Sequence, residues 1–212
     1  MIKQNKLQNL NFQNLLSVSK ILRNIEHFIF YGSLLGIIRD KNIITGDDDV
    51  DFLINYKFKN LVLKKMKLNK SFELNKKVSN NYFIQFIKKK QNIMTFVDFY
   101  FYIKDPKKNY IIEKHNFLSN INDKKFAIHI PNKIIFPIIK DNTFSKFNIP
   151  NNPKAICRFL YGDKWSKPLK KNTGYRMEII KNKPLLIKRS FLGSLTRLLK
   201  EILSINSHKK IY

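Results

Sequence analysis

The run YGSLLGIIRDKNIITGDDDVDFLI, residues 31–54, decides how this chain is read. It is entered through HFIFY at 27–31, a short aromatic and β-branched stretch that predicts a buried strand ending in a tight turn at Gly32-Ser33. A short helix, LLGIIRD, follows the turn, and extended character resumes from Asp47 to Ile54. The period-two rule puts Asp47, Asp49 and Asp51 on one face of that strand and Val50, Phe52 and Ile54 on the other. Asp47, Asp48, Asp49 and Asp51 fill four of five positions in a chain with only 15 acids against 41 Lys and Arg. Such clustering beside predicted core is hard to explain as surface charge, because carboxylates in a partly buried place repel one another unless a cation compensates.

Working outward, Leu7, Leu10, Leu15, Val18, Leu22 and Ile25 recur at helical spacing and predict an amphipathic helix over about 5–25, capping the sheet. On the other side, a Lys-rich helical segment at 57–69 leads to two strand-like runs, NYFIQFIKK and IMTFVDFYFYI, joined at Lys90-Gln91-Asn92 as a hairpin. The second run carries one acid, Asp98, amid apolar residues. A turn at 106–109 and extended pieces near 126–130 and 133–139 follow. Pro153 then opens a helix, PKAICRFLYG, which Gly162 ends. LLIKRSFLGSLTRLLKEIL at 185–203 has an apolar stripe opposite a basic face, so residues 185–212 are expected to form a basic amphipathic helix and tail behind a catalytic domain at 1–184. That helix fits an anionic membrane surface or a dock on protein.

The 212 residues suit one globular domain of α+β class, and no stretch approaches the ~18 apolar residues of a membrane span. The amino terminus scatters Asn and Gln where a secretory leader would be apolar, so the expected compartment is the cytoplasm, with peripheral association at the inner face of the membrane. Cys157 is the sole cysteine, which excludes an intramolecular disulfide framework. The net charge of +26 favours anionic partners. Most of it is Lys in a chain equally heavy in Asn, Ile and Phe, residues that A/T-rich codons specify whatever the function, and a nucleic-acid partner is therefore not the expectation.

The chemistry follows from the residue types. Gly32-Ser33 at a helix start lets backbone N–H groups and a hydroxyl approach a phosphate. Asp49 and Asp51 point the same way and can hold Mg²⁺ or Mn²⁺ through hard oxygens, and Asp98 from a neighbouring strand can complete the site or take an acceptor's proton. The fork of Arg39 can hold a phosphate beside the acids or pair with Asp47 or Asp48. The four histidines, His27, His115, His129 and His208, show no ligand spacing.

Residues 31–54 resemble the signature of the LicD/fukutin family, in which Gly-Thr/Ser-Leu-Leu-Gly-x-x-Arg precedes Trp-Asp-x-Asp-hydrophobic-Asp. A second block, IPNNPKAICRFLYGDKWSKP at 149–168, is similar to the family's Pro-Asn-Asn/Asp…Leu-x-x-x-Tyr-Gly-Asp-x-Trp-x-x-Pro motif, and TFVDFYFY at 95–102 lies where the family carries its third Asp. The departures are Gly46 in place of Trp and Ser33 in place of Thr. The resemblance implies a nucleotidyltransferase-like mixed β-sheet flanked by helices. It further implies transfer of phosphocholine, ribitol phosphate or glycerol phosphate from a CDP-linked donor to a hydroxyl of a glycan or glycolipid acceptor. Asp49, Asp51 and Asp98 match the metal carboxylates, Gly32 and Ser33 the phosphate-contacting turn, and Arg39 the family Arg. Tyr161, Asp163 and Trp165 match the second block, with Asp47 also near the donor. Two other readings compete: a nucleotidyltransferase modifying a small molecule or protein, and a basic nucleic-acid-binding module whose acids are structural.

Overall fold

The computed structural model describes residues 2–90, 92–114, 127–141, 143, 144, 146–168 and 175–188. Helix α1 (Ile2–Ile21) leads into strand β1 (His27–Ile29), helix α2 (Tyr31–Arg39) and strand β2 (Asp49–Asn55). A 3₁₀ turn at Tyr56–Phe58 opens helix α3 (Lys59–Leu68), followed by β3 (Glu73–Leu74), β4 (Phe83–Lys90), the long β5 (Ile93–Lys104) and β6 (Tyr110–Glu113). Then come β7 (Ile128–Pro131), α4 (Asn132–Ile135), β8 (Ile139–Lys140), β9 (Asn148–Ile149), α5 (Pro153–Tyr161), β10 (Tyr175–Ile180) and β11 (Lys183–Lys188). The class is α+β: one mixed sheet in the order β1-β2-β5-β4-β3, extended by β6 and β7, with helices packed on it and two small two-stranded ladders beside it.

Strand β5 organises the sheet. Its middle runs parallel to β2 from Asp49↔Phe96 to Asn55↔Tyr102, and its end pairs antiparallel with β6 on the opposite edge, so that Tyr102 lies between Asn55 and Glu113. That opposite edge also carries β4, antiparallel, with Lys90 opposite Ile93. Asn92 in the connecting turn has φ of 61°, the left-handed conformation that tight hairpins need and Asn tolerates. The apolar backs of the strands (Val50, Phe52, Ile54, Val97, Phe99, Phe101, Ile84 and Phe86) are all buried, and each such side chain contributes about 1.5–3 kcal/mol by leaving water. Buried side chains tie α1 to this frame: Asn14 Nδ2 donates to Thr95 Oγ1 at 2.9 Å, and Asn11 Nδ2 donates to the Asp47 carbonyl at 2.9 Å.

Two expectations are corrected. Residues 133–139 are not one extended piece, because α4 folds as a single helical turn whose end is fastened: Asn151 and Asn152 N–H donate to the Ile135 and Ile134 carbonyls. Residues 185–188 belong to a strand rather than to a basic helix. Lys181 and Asn182, both at positive φ (49° and 62°), form a tight hairpin turn that pairs β10 with β11, and Asn182 is anchored by Nδ2 donating to the Ala127 carbonyl and by its own carbonyl accepting from His129 N–H in β7. The rest of that stripe, from residue 189 on, lies outside the described residues. Among the described residues no helix is long and apolar enough to cross a membrane.

Candidate active site

The parallel register of β2 and β5 sets Asp51 directly beside Asp98, with Asp49 two positions back on the same face as Asp51. One carboxylate oxygen from each of the three lies within 4.8 Å of the others. Asp51 and Asp98 are buried and Asp49 half-buried. Burial, and then the charges of Asp47 and Asp98, lift the Asp49 carboxyl to about 8. Burial followed by Asp49 and Asp98 pushes Asp51 well up as well. Asp98 is raised by burial to about 7, against the opposing effect of a hydrogen bond from Gln85. Hard oxygens clustered this closely, each holding its proton too tightly for an ordinary carboxylate, fit a divalent cation, which would supply the missing positive charge. The buried triad can hold a metal ion.

The turn at Gly32-Ser33 serves this cluster directly. Ser33 N–H, in the first turn of α2, donates to Asp51 Oδ2 at 3.1 Å, so the positive end of the helix faces a carboxylate. In return Asp51 N–H donates to Ser33 Oγ at 2.7 Å. The Ser33 N–H is thus engaged with Asp51, while the Ser33 hydroxyl, accepting from Asp51, keeps its own proton to donate. A Cβ at Gly32 would stand 2.9 Å from Asp47 Oδ2 and 3.4 Å from Asp51 Oδ2, so glycine is needed there for carboxylates to close in. Tyr31, just before it, takes a φ of 38°, a conformation non-glycine residues rarely hold and one that clusters at functional sites.

Arg39 also departs from expectation. Its Nε and terminal nitrogen grip both oxygens of its neighbour Asp40, each at 2.7 Å, rather than pairing with Asp47 or Asp48. The chain turns out of α2 at Asp40, and an adjacent carboxylate there reaches the fork first. Asp47 and Tyr161 do join the cluster: the Tyr161 phenol, at the end of α5, is raised by burial and then by Asp51, with Asp47 and Asp49 adding to it. Asp163 points to solvent and pairs with Arg158 Nε at 3.3 Å, and Trp165 packs against the edge of the core.

Sequence reasoning missed Gln85, Asn75 and Glu113. Gln85 Nε2 donates to Asp98 Oδ1 at 2.9 Å, and Asn75 Nδ2 donates to Gln85 Oε1 at 2.7 Å, a short chain that fixes the Asp98 carboxylate. Tyr100, two residues past Asp98 on the same face, feels Asp51 and Asp98 after burial, and its ring meets that of Tyr31 at 4.7 Å. Tyr31 in turn donates its hydroxyl to Glu113 at 3.0 Å. Gln85 could have been found, since a two-residue turn after Lys90 puts it opposite Asp98; Glu113 carries no comparable signal.

An α+β domain with a helix N-terminus facing three clustered carboxylates on adjacent strands defines a nucleotidyltransferase-like class. The family model described as LicD/FKTN/FKRP, nucleotidyltransferase domain, matches residues 24–152, and the chain belongs to that family. No curated protein matches it. Among solved structures it is similar to a Thermotoga maritima protein provisionally assigned as a nucleotidyltransferase. The two share 9% identity over 96% of this chain and 93% of that one, at a TM-score of 0.30, a level that decides nothing.

Proposed function

We propose that this protein is a Mg²⁺- or Mn²⁺-dependent transferase that moves phosphocholine or a polyol phosphate from a CDP-linked donor to a glycan or glycolipid hydroxyl, releasing CMP. The observation that supports this most is the convergence of Asp49, Asp51 and Asp98 within 4.8 Å in a member of this family. Bound there, the cation would neutralise charge at the reacting phosphorus. The chain's own groups do the rest. Asp49 and Asp51 orient the cation from one strand, and Ser33 N–H holds Asp51 in place. Gln85 occupies one oxygen of Asp98 and leaves the other to share the cation or to take the acceptor hydroxyl's proton. Tyr31, Tyr100 and Tyr161 wall the acid face and limit water.

The test is CMP release from CDP-choline, CDP-glycerol and CDP-ribitol with and without Mg²⁺. Cation-dependent release with one donor, lost in Asp49→Asn and Asp51→Asn, is the expected result. No release with any of them, beside Mg²⁺-dependent pyrophosphate release from a nucleoside triphosphate, would move the assignment to a nucleotidyltransferase of small molecules or proteins.

A further inference from the structure

From Phe52 to Phe72 the chain has no acidic residue and six lysines, at 57, 59, 64, 65, 67 and 70. Folded, this is the 3₁₀ turn and α3, attached to the sheet by the buried stripe Val62 and Met66. The opposite stripe follows helical spacing through Leu61, Lys64 and Leu68. Leu61 is 40% and Leu68 75% exposed, and Tyr56, at the start of the same unit, 36%. A codon-driven excess of lysine would scatter charge without regard to exposed apolar side chains. Here the lysines surround two leucines that the core does not use.

The chemistry at the rim is consistent with this. Lys59 stands over the Tyr56 ring at 5.6 Å, and at the far end Lys88 from β4 stands over Phe72 at 4.9 Å. Tyr56 meets Phe101, which lies on the back of β5, opposite in parity to Asp98. The α3 surface therefore lies across the sheet from the carboxylates, and whatever covers it leaves the acid face clear.

We propose that the outer face of α3 docks on an anionic lipid bilayer, with Leu61 and Leu68 entering the boundary between headgroups and acyl chains and the lysines meeting lipid phosphates. Charge complementarity selects an anionic partner, and the protruding leucines select a membrane over a nucleic acid, whose backbone offers nothing apolar to meet them. The docking does not depend on the transferase reading.

The experiment is co-sedimentation of the full chain with phosphatidylcholine vesicles, with and without about one-third phosphatidylserine, at about 0.1 M salt. The proteins are wild type, Leu61→Ser/Leu68→Ser, Lys64→Glu/Lys67→Glu and, as a control for the acid site, Asp49→Asn. Expected are binding to the anionic vesicles at least about tenfold above the neutral ones, a further loss of about tenfold in the leucine pair, and near abolition in the lysine pair. The wild type and the two surface pairs should melt alike, since Leu61, Leu68, Lys64 and Lys67 are exposed, and Asp49→Asn should bind as wild type whether or not it transfers anything. No preference for anionic vesicles, or a leucine pair that binds them as wild type does, would overturn the proposal. So would single-stranded DNA bound more tightly than the vesicles and indifferent to the leucines, which is the nucleic-acid outcome.

Discussion

Replacing Gly36 with alanine would put a Cβ 2.5 Å from the Asn42 carbonyl oxygen and 3.0 Å from the Ile44 nitrogen, both backbone atoms that cannot swing away. Gly36→Ala should cost about 1–3 kcal/mol in a denaturant titration, the usual penalty of overpacking. Gly32→Ala meets only the ends of the Asp47 and Asp51 side chains. It should leave stability within about 1 kcal/mol while cation affinity, read by calorimetry, falls at least about tenfold as those carboxylates are displaced. At Asp98 the roles divide differently: Asp98→Asn should lower kcat by about 10²–10⁴-fold while donor affinity changes far less. A matching fall in donor affinity would make Asp98 a binding residue and nothing more. The acids themselves were legible because a charge inside an apolar strand needs an explanation. What Ser33 and Arg39 touch was not, since the first is decided by how α2 leans on β2 and the second by a neighbour, Asp40, that any exposed fork could choose.

Helix α5 shows how far an element can be read ahead of its coordinates. Pro153 fills the first turn and Gly162 leaves at a φ of 77°, which is the punctuation its sequence announces, and the structure adds a cap in which Asn152 accepts from Ala155 N–H at 3.1 Å. Asn152→Ala should therefore cost about 1 kcal/mol by thermal melt. Because α5 carries Tyr161 to the acid cluster, the same variant should weaken cation binding before it unfolds the protein. Strands β2, β4 and β5 were equally plain, because apolar residues recur at a period of two along their back faces. Residues 185–188 misled because Leu and Ile beside Lys and Arg suit a helix stripe and a ladder alike. The turn at Lys181-Asn182, which sequence reasoning did not single out, decides for the ladder by joining β10 to β11. Residues 133–139 misled for a related reason: α4 is one turn long, too short for any period to show.

At the scale of the whole molecule, the acid centre and the core pull stability in opposite directions with pH. Asp49 at about 8 and Asp98 at about 7, against 3.8 for ordinary aspartate, bind protons that the unfolded chain gives up. Their contribution is complete near pH 4 and is lost as pH rises toward 8, so the metal-free protein should become more stable on acidification through that range. His27, buried and lowered to about 4 from 6.5, works the other way, and its contribution is lost as pH falls from about 6.5 to 4. Two raised carboxylates outweigh one lowered imidazole throughout the range from about pH 4 to 6.5, so the metal-free melting temperature should climb on acidification from pH 8 to about 4, more gently below 6.5, and Mg²⁺ should raise it most at pH 8, where the carboxylates are charged and uncompensated. A metal-free melting curve that keeps climbing to pH 8 would contradict the placement of the triad. The parallel pairing of β2 with β5 adds a kinetic consequence. Asp51 and Asp98 become neighbours only after α3 and the β4 hairpin have been laid down between them, so the ion-binding centre closes late, on the slow, non-local part of the folding route. A nascent or partly unfolded chain would offer the ion at most the Asp49 and Asp51 side of the site. Cation affinity therefore reports that the topology is complete, and the ion should slow unfolding far more than it hastens refolding.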